Sequence, residues 1–384
     1  MKARKPIYLD YAAATPLDPK VKAAMEPYFS QAFYNPSATY LAAKQVSAAL
    51  AGARSRVAVL LGARPAEIIF TAGGTEANNL AIQGVMQTYP GANVVTSSIE
   101  HDSILKPAGQ YAHKNCKVLP DGRLDLADLV AQIDDSTVLV SVIYANNEIG
   151  TIQPIRDIAK LLKQIRQQRL TGGNKLPLYF HTDACQAAAY LDLHVGRLGV
   201  DMLTINGGKI YGPKQSGVLY IKTGTVIKPQ IVGGGQEYGR RSGTENVPAI
   251  IGLTKALDLV QTRREFEAAR LRGLQDFFVT LLAEKVPTAL INGSTKHRLP
   301  NNLHLTFPGQ DNERLMMQLD EAGILCATGS ACSASNEEPS HVLKALGLSD
   351  ELAQASLRFT MGQATTKSDI QQTVAALASN TGST

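Results

Sequence analysis

Met202-Leu203-Thr204-Ile205-Asn206-Gly207-Gly208-Lys209-Ile210-Tyr211-Gly212-Pro213-Lys214 opens as an apolar strand and closes on a lysine set among glycines. Most lysines are solvated surface charges. Here the flanking glycines let the backbone approach a ligand closely, and an amine held in such a pocket can form a Schiff base. Upstream, the apolar run Leu178 to Thr182 ends in His181-Thr182-Asp183-Ala184-Cys185-Gln186. Its carboxylate would be poorly solvated there unless it met a cation, either in a buried salt bridge or on a ligand. The spacing of Asp183 and Lys209 leaves room for one crossover and a neighbouring strand, so both strand ends can face one site.

Further upstream the same texture repeats. Ile68 to Thr71, Val94 to Thr96 and Val138 to Ile143 read as β-branched strands, and Val218 to Ile221 follows the lysine. Between them lie helical stripes. Val46, Leu50, Ala53, Val57 and Leu60 occupy one face of a helix over Lys44 to Leu61 that Gly62 ends, and Ile155, Ile158, Leu161, Leu162 and Ile165 mark another. Alternation of this kind predicts an α/β domain with a mainly parallel sheet covered on both faces. Thr171 to Lys175 reads as a surface loop. After Pro248 comes a long Arg-, Glu- and Leu-rich helix, then strands at Asn302 to Phe307 and Ala355 to Met361, which predicts a smaller α+β domain. The boundary falls within that helix, near Thr262. This places 15–262 in the large domain and 1–14 with 263–384 in the small one. Ser379 to Thr384 reads as a frayed tail.

In open α/β sheets ligands bind outside the carboxyl ends of the strands, and four strand ends here carry polar residues suited to a site. Phe70-Thr71 runs into Ala72-Gly73-Gly74-Thr75-Glu76, a glycine turn opening a helix whose free amides can hold a phosphate, although such turns are about as often merely tight. Glu100-His101-Asp102 puts an imidazole where a flat ring could stack; a lone His is more often structural. Ala145-Asn146-Asn147-Glu148 divides evenly between turn chemistry and function. With Lys209, the carboxylate of Asp183 suits the protonated pyridine nitrogen of pyridoxal phosphate, which needs an acid there to keep its ring an electron sink.

The whole-chain numbers bound the reading. The 384 residues, 44% of them hydrophobic, suffice for two unequal lobes. A net charge of +5 is scattered among acids, with no basic block and no interleaved aromatics, so nucleic acid is not expected as a partner. No apolar run reaches the length of a membrane span, and no signal-peptide core follows the basic start Met1 to Pro6. Cys116, Cys185, Cys326 and Cys332 show neither metal-ligand pairs nor dense disulfide spacing, so no metal site is expected and a cytoplasmic location is.

From Tyr8-Leu9-Asp10-Tyr11-Ala12-Ala13-Ala14-Thr15-Pro16 to Arg358-Phe359-Thr360-Met361-Gly362 the chain resembles the cysteine desulfurases, in the class V branch of the fold-type I pyridoxal-phosphate enzymes. The resemblance implies a seven-stranded, mainly parallel sheet in the large domain. It implies that Lys209 binds the cofactor covalently, Asp183 pairs with the pyridine nitrogen, and His101 stacks on the ring. Gln186 and Asn147 are then placed at the ring hydroxyl and the substrate side, and Gly74 and Thr75 at the phosphate. Gly233 to Glu237 and Arg241 to Asn246 resemble a segment lent across a homodimer, with Thr244 reaching the partner's phosphate. Arg358 corresponds to the arginine that grips the substrate carboxylate. Cys332, in Ala327-Thr328-Gly329-Ser330-Ala331-Cys332-Ser333, matches the thiol that takes sulfur from L-cysteine, leaving L-alanine and a persulfide for acceptors such as iron-sulfur scaffold proteins. Taken bare, such a cysteine is more often a small buried hydrophobe. Its Gly/Ser-rich surround reads instead as an exposed loop that lets a thiol visit a substrate and leave. An aminotransferase of the same fold would need Lys209 and Asp183 but not this cysteine; a selenocysteine lyase would share nearly everything. Two departures stand out: Asn206 and Gly208 replace the family's usual Ser and His, and Tyr40 follows Asn35-Pro36-Ser37 where a His is usual. Asn206 is expected to replace the missing phosphate donor.

Overall fold

The computed structural model describes residues 6–329 and 339–382. Twelve strands occur among them: β1 (Ile7–Tyr8), β2 (Ile68–Thr71), β3 (Asn93–Ser97), β4 (Ala112–Cys116), β5 (Thr137–Ser141), β6 (Tyr179–Asp183), β7 (Met202–Asn206), β8 (Gly217–Ile221), β9 (Leu290–Ile291), β10 (Asn302–Thr306), β11 (Ile324–Leu325) and β12 (Ser356–Thr360). A seven-stranded sheet has the order β2-β8-β7-β6-β5-β3-β4. Within it β8 runs antiparallel to both of its neighbours, while the pairs from β7 through β4 are parallel. The expected α/β class with a mainly parallel sheet is what forms.

Both faces of the sheet are covered, and the strand alternation supplies both. Ile69, Val94, Leu139, Met202 and Leu219 pack with Ala77, Leu80, Ala81 and Val85 of the helix Gly74–Thr88. Phe70, Val95, Val140, Leu203 and Val218 turn to the other side, where Ile158 and Leu162 of the helix Ile155–Thr171 join them. Each such side chain, fully buried, contributes about 1.5–3 kcal/mol, so the strand ends above are held on a rigid floor. The helix predicted from Lys44 begins earlier, at Leu41, and ends where expected, with Gly62 left-handed at φ 63°.

A separate three-stranded antiparallel sheet has the order β12-β10-β9, and β1 pairs in parallel with β11. Between the two sheets runs one continuous helix of 39 residues, Val247–Lys285. Three details differ from the sequence expectation. β5 ends at Ser141 rather than Ile143: Val142 N still donates to the carbonyl of His181 on β6, but Ile143 N turns to the Glu100 carboxyl, at 2.8 Å, instead of a strand carbonyl. β4, Ala-His-Lys-Asn-Cys, was not expected; its residues are mostly polar, and it forms by pairing with β3 at the sheet edge. Ser379 and Asn380 belong to the helix Lys367–Asn380 rather than to a frayed tail, since Ile370, Val374 and Leu377 bury that helix's inner face.

Candidate active site

The carboxyl ends of β2, β3, β5, β6 and β7 open on one shared cavity. Gly74, Thr75, His101, Asn147, Asp183, Gln186, Asn206, Lys209 and Arg358 all line it. Of the site residues expected from the sequence, two are not in this wall. Thr244 lines a different cavity with Phe70, Thr71 and Ser216. Cys332 lies outside the described residues.

Lys209 closes a short 3-10 turn, Gly207–Lys209, just past β7. A side chain at Gly207 is impossible without rearrangement, because its Cβ would sit 2.1 Å from Ser216 Oγ. The turn is pinned from the other side by Thr15, whose Oγ1 donates to the carbonyl of Gly208 at 3.0 Å and accepts the backbone N–H of Tyr211 at 2.8 Å. Tyr211 takes φ 63°, rare for a residue with a side chain. The Lys209 ammonium donates to the carbonyls of Ala12 and Ala13 at 2.7 and 2.6 Å, and Gln186 Nε2 donates to the same Ala12 oxygen at 3.0 Å. The Ala12-Ala13 segment thus forms one wall and holds the amine inside the cavity.

Asp183 ends β6 only 4% exposed and makes no ion pair among the described residues. Asn78 Nδ2 donates to its Oδ2 at 2.7 Å and Cys185 N to its Oδ1 at 2.9 Å, which leaves acceptor capacity on the carboxylate for a cation. The second Asn78 donor goes to Ser103 Oγ at 2.9 Å, and Ser103 Oγ contacts His101 Nδ1 at 2.8 Å. Because the Ser103 hydroxyl oxygen accepts from Asn78, its single hydrogen turns to His101. Ser103 N also donates to that Nδ1, at 3.0 Å. The uncharged His101 ring therefore carries its proton on Nε2. Asn78, Ser103 and Thr15 are site residues that no local sequence pattern marks.

The helix Gly74–Thr88 begins at this cavity with no side-chain cap, so its first amides are available to an anion. Asn206 stands beside it: a Cβ on Gly74 would lie 3.4 Å from Asn206 Nδ2. Its Oδ1 accepts the N–H of Gly208 at 3.0 Å, which orients the amide and leaves Nδ2 as the donor end. Arg358 is anchored by Asp10 and the Asn147 carbonyl. The two described flanks of the segment that carries Cys332 both come to Glu148, where Ser340 Oγ donates to Oε2 at 2.5 Å and the Cβ of a side chain at Gly329 would lie 3.6 Å away.

These groups fit pyridoxal phosphate: a lysine amine inside the cavity, a buried carboxylate with no cation, a ring-bearing residue, and an uncapped helix N-terminus. Burial pushes the other thiols up, Cys326 to about 12 and Cys185 well above its ordinary value, so neither is a thiolate near neutral pH. Among the described residues there is no cluster of metal-binding side chains, and no helix is long and apolar enough to cross a membrane.

A sequence profile described as aminotransferase class-V matches residues 7–373. The cysteine desulfurase IscS of Dictyoglomus turgidum is 41% identical over 378 residues, covering 97% of this chain and 93% of that protein. Among solved structures, a NifS-like protein superposes with a TM-score of 0.89 at 29% identity, covering 98% of this chain and 99% of the other. A structure of SspA in complex with cysteine gives 0.80 at 34% identity, with 92% and 98% covered.

Proposed function

Since the chain belongs to the aminotransferase class-V family, as a pyridoxal-phosphate-dependent cysteine desulfurase, we propose that Lys209, Asp183, His101, Arg358 and Cys332 divide its chemistry as follows. The observation that carries this reading is the meeting of the Lys209 amine and the cation-free carboxylate of Asp183 in one cavity. Lys209 would hold the cofactor, Asp183 the pyridine nitrogen and His101 a ring face. Gln186 and Asn147 would lie at the ring hydroxyl and the substrate side, and Gly74, Thr75 and Asn206 at the phosphate. Pyridoxal phosphate, when bound, supplies an electron sink for bond changes at the substrate's α- and β-carbons.

The chain's own groups do the rest. Arg358 binds the carboxylate of L-cysteine through its planar fork. The Lys209 amine, once released, moves a proton at the α-carbon. Cys332, as thiolate, attacks the substrate sulfur: the new S–S bond forms, the Cβ–S bond breaks with its electron pair going to carbon, and that carbon takes a proton. L-Alanine leaves and the sulfur stays as a Cys332 persulfide. The Cys332 thiol is thereby oxidised as the substrate's β-carbon is reduced, so no external oxidant is required. A sulfur acceptor, of which an iron-sulfur scaffold protein is one kind, would then take the sulfur.

The same reading divides the chain into 15–262 and 1–14 with 263–384, supported by the separation of the seven-stranded sheet from the two smaller ones. It makes the protein a homodimer in which Thr244 completes the partner's phosphate site, supported by its position away from the Lys209 cavity of its own chain. Cys116, Cys185 and Cys326 are free, which favours the cytoplasm. The deciding experiment is release of alanine and sulfide from L-cysteine by the purified protein, run beside selenocysteine and a keto acid. Amino-group exchange with the keto acid and no sulfide would make it an aminotransferase instead.

A further inference from the structure

Arg358 is the most enclosed cation of the cavity, its side chain 3% exposed. One terminal nitrogen donates to Asp10 Oδ1 at 2.7 Å and the other to the carbonyl of Asn147 at 3.1 Å. Its Nε is buried with no partner among the described residues. Asp10 and Asn147 thus fix the plane of the guanidinium, and each terminal nitrogen keeps a second hydrogen for a ligand in the cavity that Arg358 lines.

Asp10 is not an incidental surface acid. Thr360 N donates to the carbonyl of Leu9 at 2.7 Å and Tyr11 N to the carbonyl of Thr360 at 3.3 Å, so the backbone registers Asp10 beside β12, the strand that carries Arg358. Tyr8 Oη adds a hydrogen bond to the Asp10 carbonyl at 2.8 Å. Asp10 is 17% exposed at its side chain and is not among the residues that line the cavity. The carboxylate therefore holds the guanidinium from outside the site.

We propose that Asp10 is a positioning residue that presents Arg358 as a neutral ion pair whose remaining terminal N–H groups are available to a ligand. The α-carboxylate of an amino acid is then recognised by directed N–H groups instead of by net positive charge. This inference rests on the reading of Arg358 as the carboxylate site. It has a kinetic meaning, because alanine carries the same carboxylate and amine as cysteine. Attraction that does not distinguish substrate from product would hold both alike and retard release.

The test titrates the holoenzyme with L-alanine, followed by the visible absorbance of the bound cofactor, with ethylamine as the ligand lacking a carboxylate. Asp10→Asn keeps an oxygen acceptor and removes the charge. It should tighten alanine binding by about three- to tenfold at low salt, with a steeper salt dependence than wild type, and leave ethylamine unchanged. Asp10→Ala also loses the anchor and should bind alanine more weakly than Asp10→Asn. Cofactor content and melting temperature confirm that each variant is folded. An Asp10→Asn protein within twofold of wild type for alanine, or one that shifts alanine and ethylamine alike, overturns the inference. Arg358→Lys separates the two levels: weakening of both ligands by one factor removes Arg358 as the carboxylate site, whereas weakening of alanine alone, beside a silent Asp10→Asn, defeats only the role of Asp10.

Discussion

Asn78 lies on the first turns of the helix Gly74–Thr88 and donates its side-chain amide to Asp183 at 2.7 Å, across 105 residues of sequence. The amide cannot turn round, because its oxygen would then face a carboxylate. Its other hydrogen goes to Ser103, so the charge of Asp183 sets the direction of a chain of hydrogen bonds that ends at His101. Asn78→Ala should leave a buried carboxylate short of one hydrogen bond, a loss of about 1.5–3 kcal/mol. Expected is cofactor loss on dialysis about tenfold faster than in wild type. Retention equal to wild type would mean that Asp183 does not depend on Asn78.

Lys209→Ala should abolish the visible absorbance of lysine-bound cofactor and lower turnover by at least about a thousandfold. The rival is Lys214, five residues on, which does not line the cavity. Borohydride reduction and peptide mapping decide: cofactor found on Lys214 would refute the assignment.

Cys332→Ala should still bind cofactor and cysteine but form no protein persulfide. Cys185 is the informative control because it lines the same cavity. Burial and the neighbouring Asp183 keep its thiol protonated, and burial does the same for Cys326. Mass spectrometry placing persulfide on either of these, with Cys332 unmodified, would contradict the proposed sulfur transfer.

Glu100 is wholly buried, and burial pushes its carboxyl up from 4.5 to about 8, against hydrogen bonds from Ser97 and Ile143 N that favour the charged form. Between these values the unfolded chain has released the proton and the folded chain still holds it. Stability therefore falls as pH rises from about 4.5 to about 8, by at most about 1.4 kcal/mol per pH unit from this group, and the contribution levels off above that. Glu100→Gln does not titrate. Its stability relative to wild type should climb between pH 5.5 and 7.5 in denaturant melts, and a constant difference across that range would show that Glu100 does not titrate there.

Local chemistry made most of the large sheet legible. Ile68 to Thr71 and Met202 to Ile205 are runs buried on both faces, and such strands announce themselves by composition. Ala112 to Cys116 does not, because an edge strand needs only one partner and can stay polar. Among site residues the pattern is similar. Lys209, Asp183 and the glycine turn before Thr75 sit at strand ends, where residue type alone is informative. Asn78, Thr15 and Asp10 act through partners far along the chain, 348 residues away in the case of Asp10 and Arg358. No window of sequence contains both halves of such a contact. The departure at Asn206 and Gly208 was legible as a substitution, but the direction of the Asn206 amide was not, since a backbone N–H two residues on decides it.

That direction leads to a prediction about cofactor retention. With Asn206 Oδ1 taken by Gly208 N, the two hydrogens of Nδ2 are presented near the uncapped start of the helix at Gly74, where the phosphate is proposed to sit. Asn206→Ala removes them and also releases the Gly207–Lys209 turn, so cofactor loss on dialysis should accelerate. Asn206→Asp separates the two effects: it keeps the acceptor for Gly208 and removes the donor, and its negative charge opposes the phosphate, so it should lose cofactor faster still. Restoring a cation is sterically open at Gly208. Its φ is not positive, and an added Cβ would meet Asn206 Oδ1 and Lys214 Cγ at 3.5 Å and Lys214 Cα at 3.7 Å, all ordinary contacts. A charge-assisted hydrogen bond contributes about 1.5–3 kcal/mol, so Gly208→His should slow cofactor loss by roughly tenfold or more at pH 5.5. The gain should fade toward pH 8 as the imidazole loses its charge, whereas wild type, whose amide does not titrate, should change less over that range. The measurement is the rate of apoenzyme formation on dialysis for wild type and the three variants from pH 5.5 to 8; if Asn206→Asp retains cofactor as wild type does, Asn206 is not the phosphate donor.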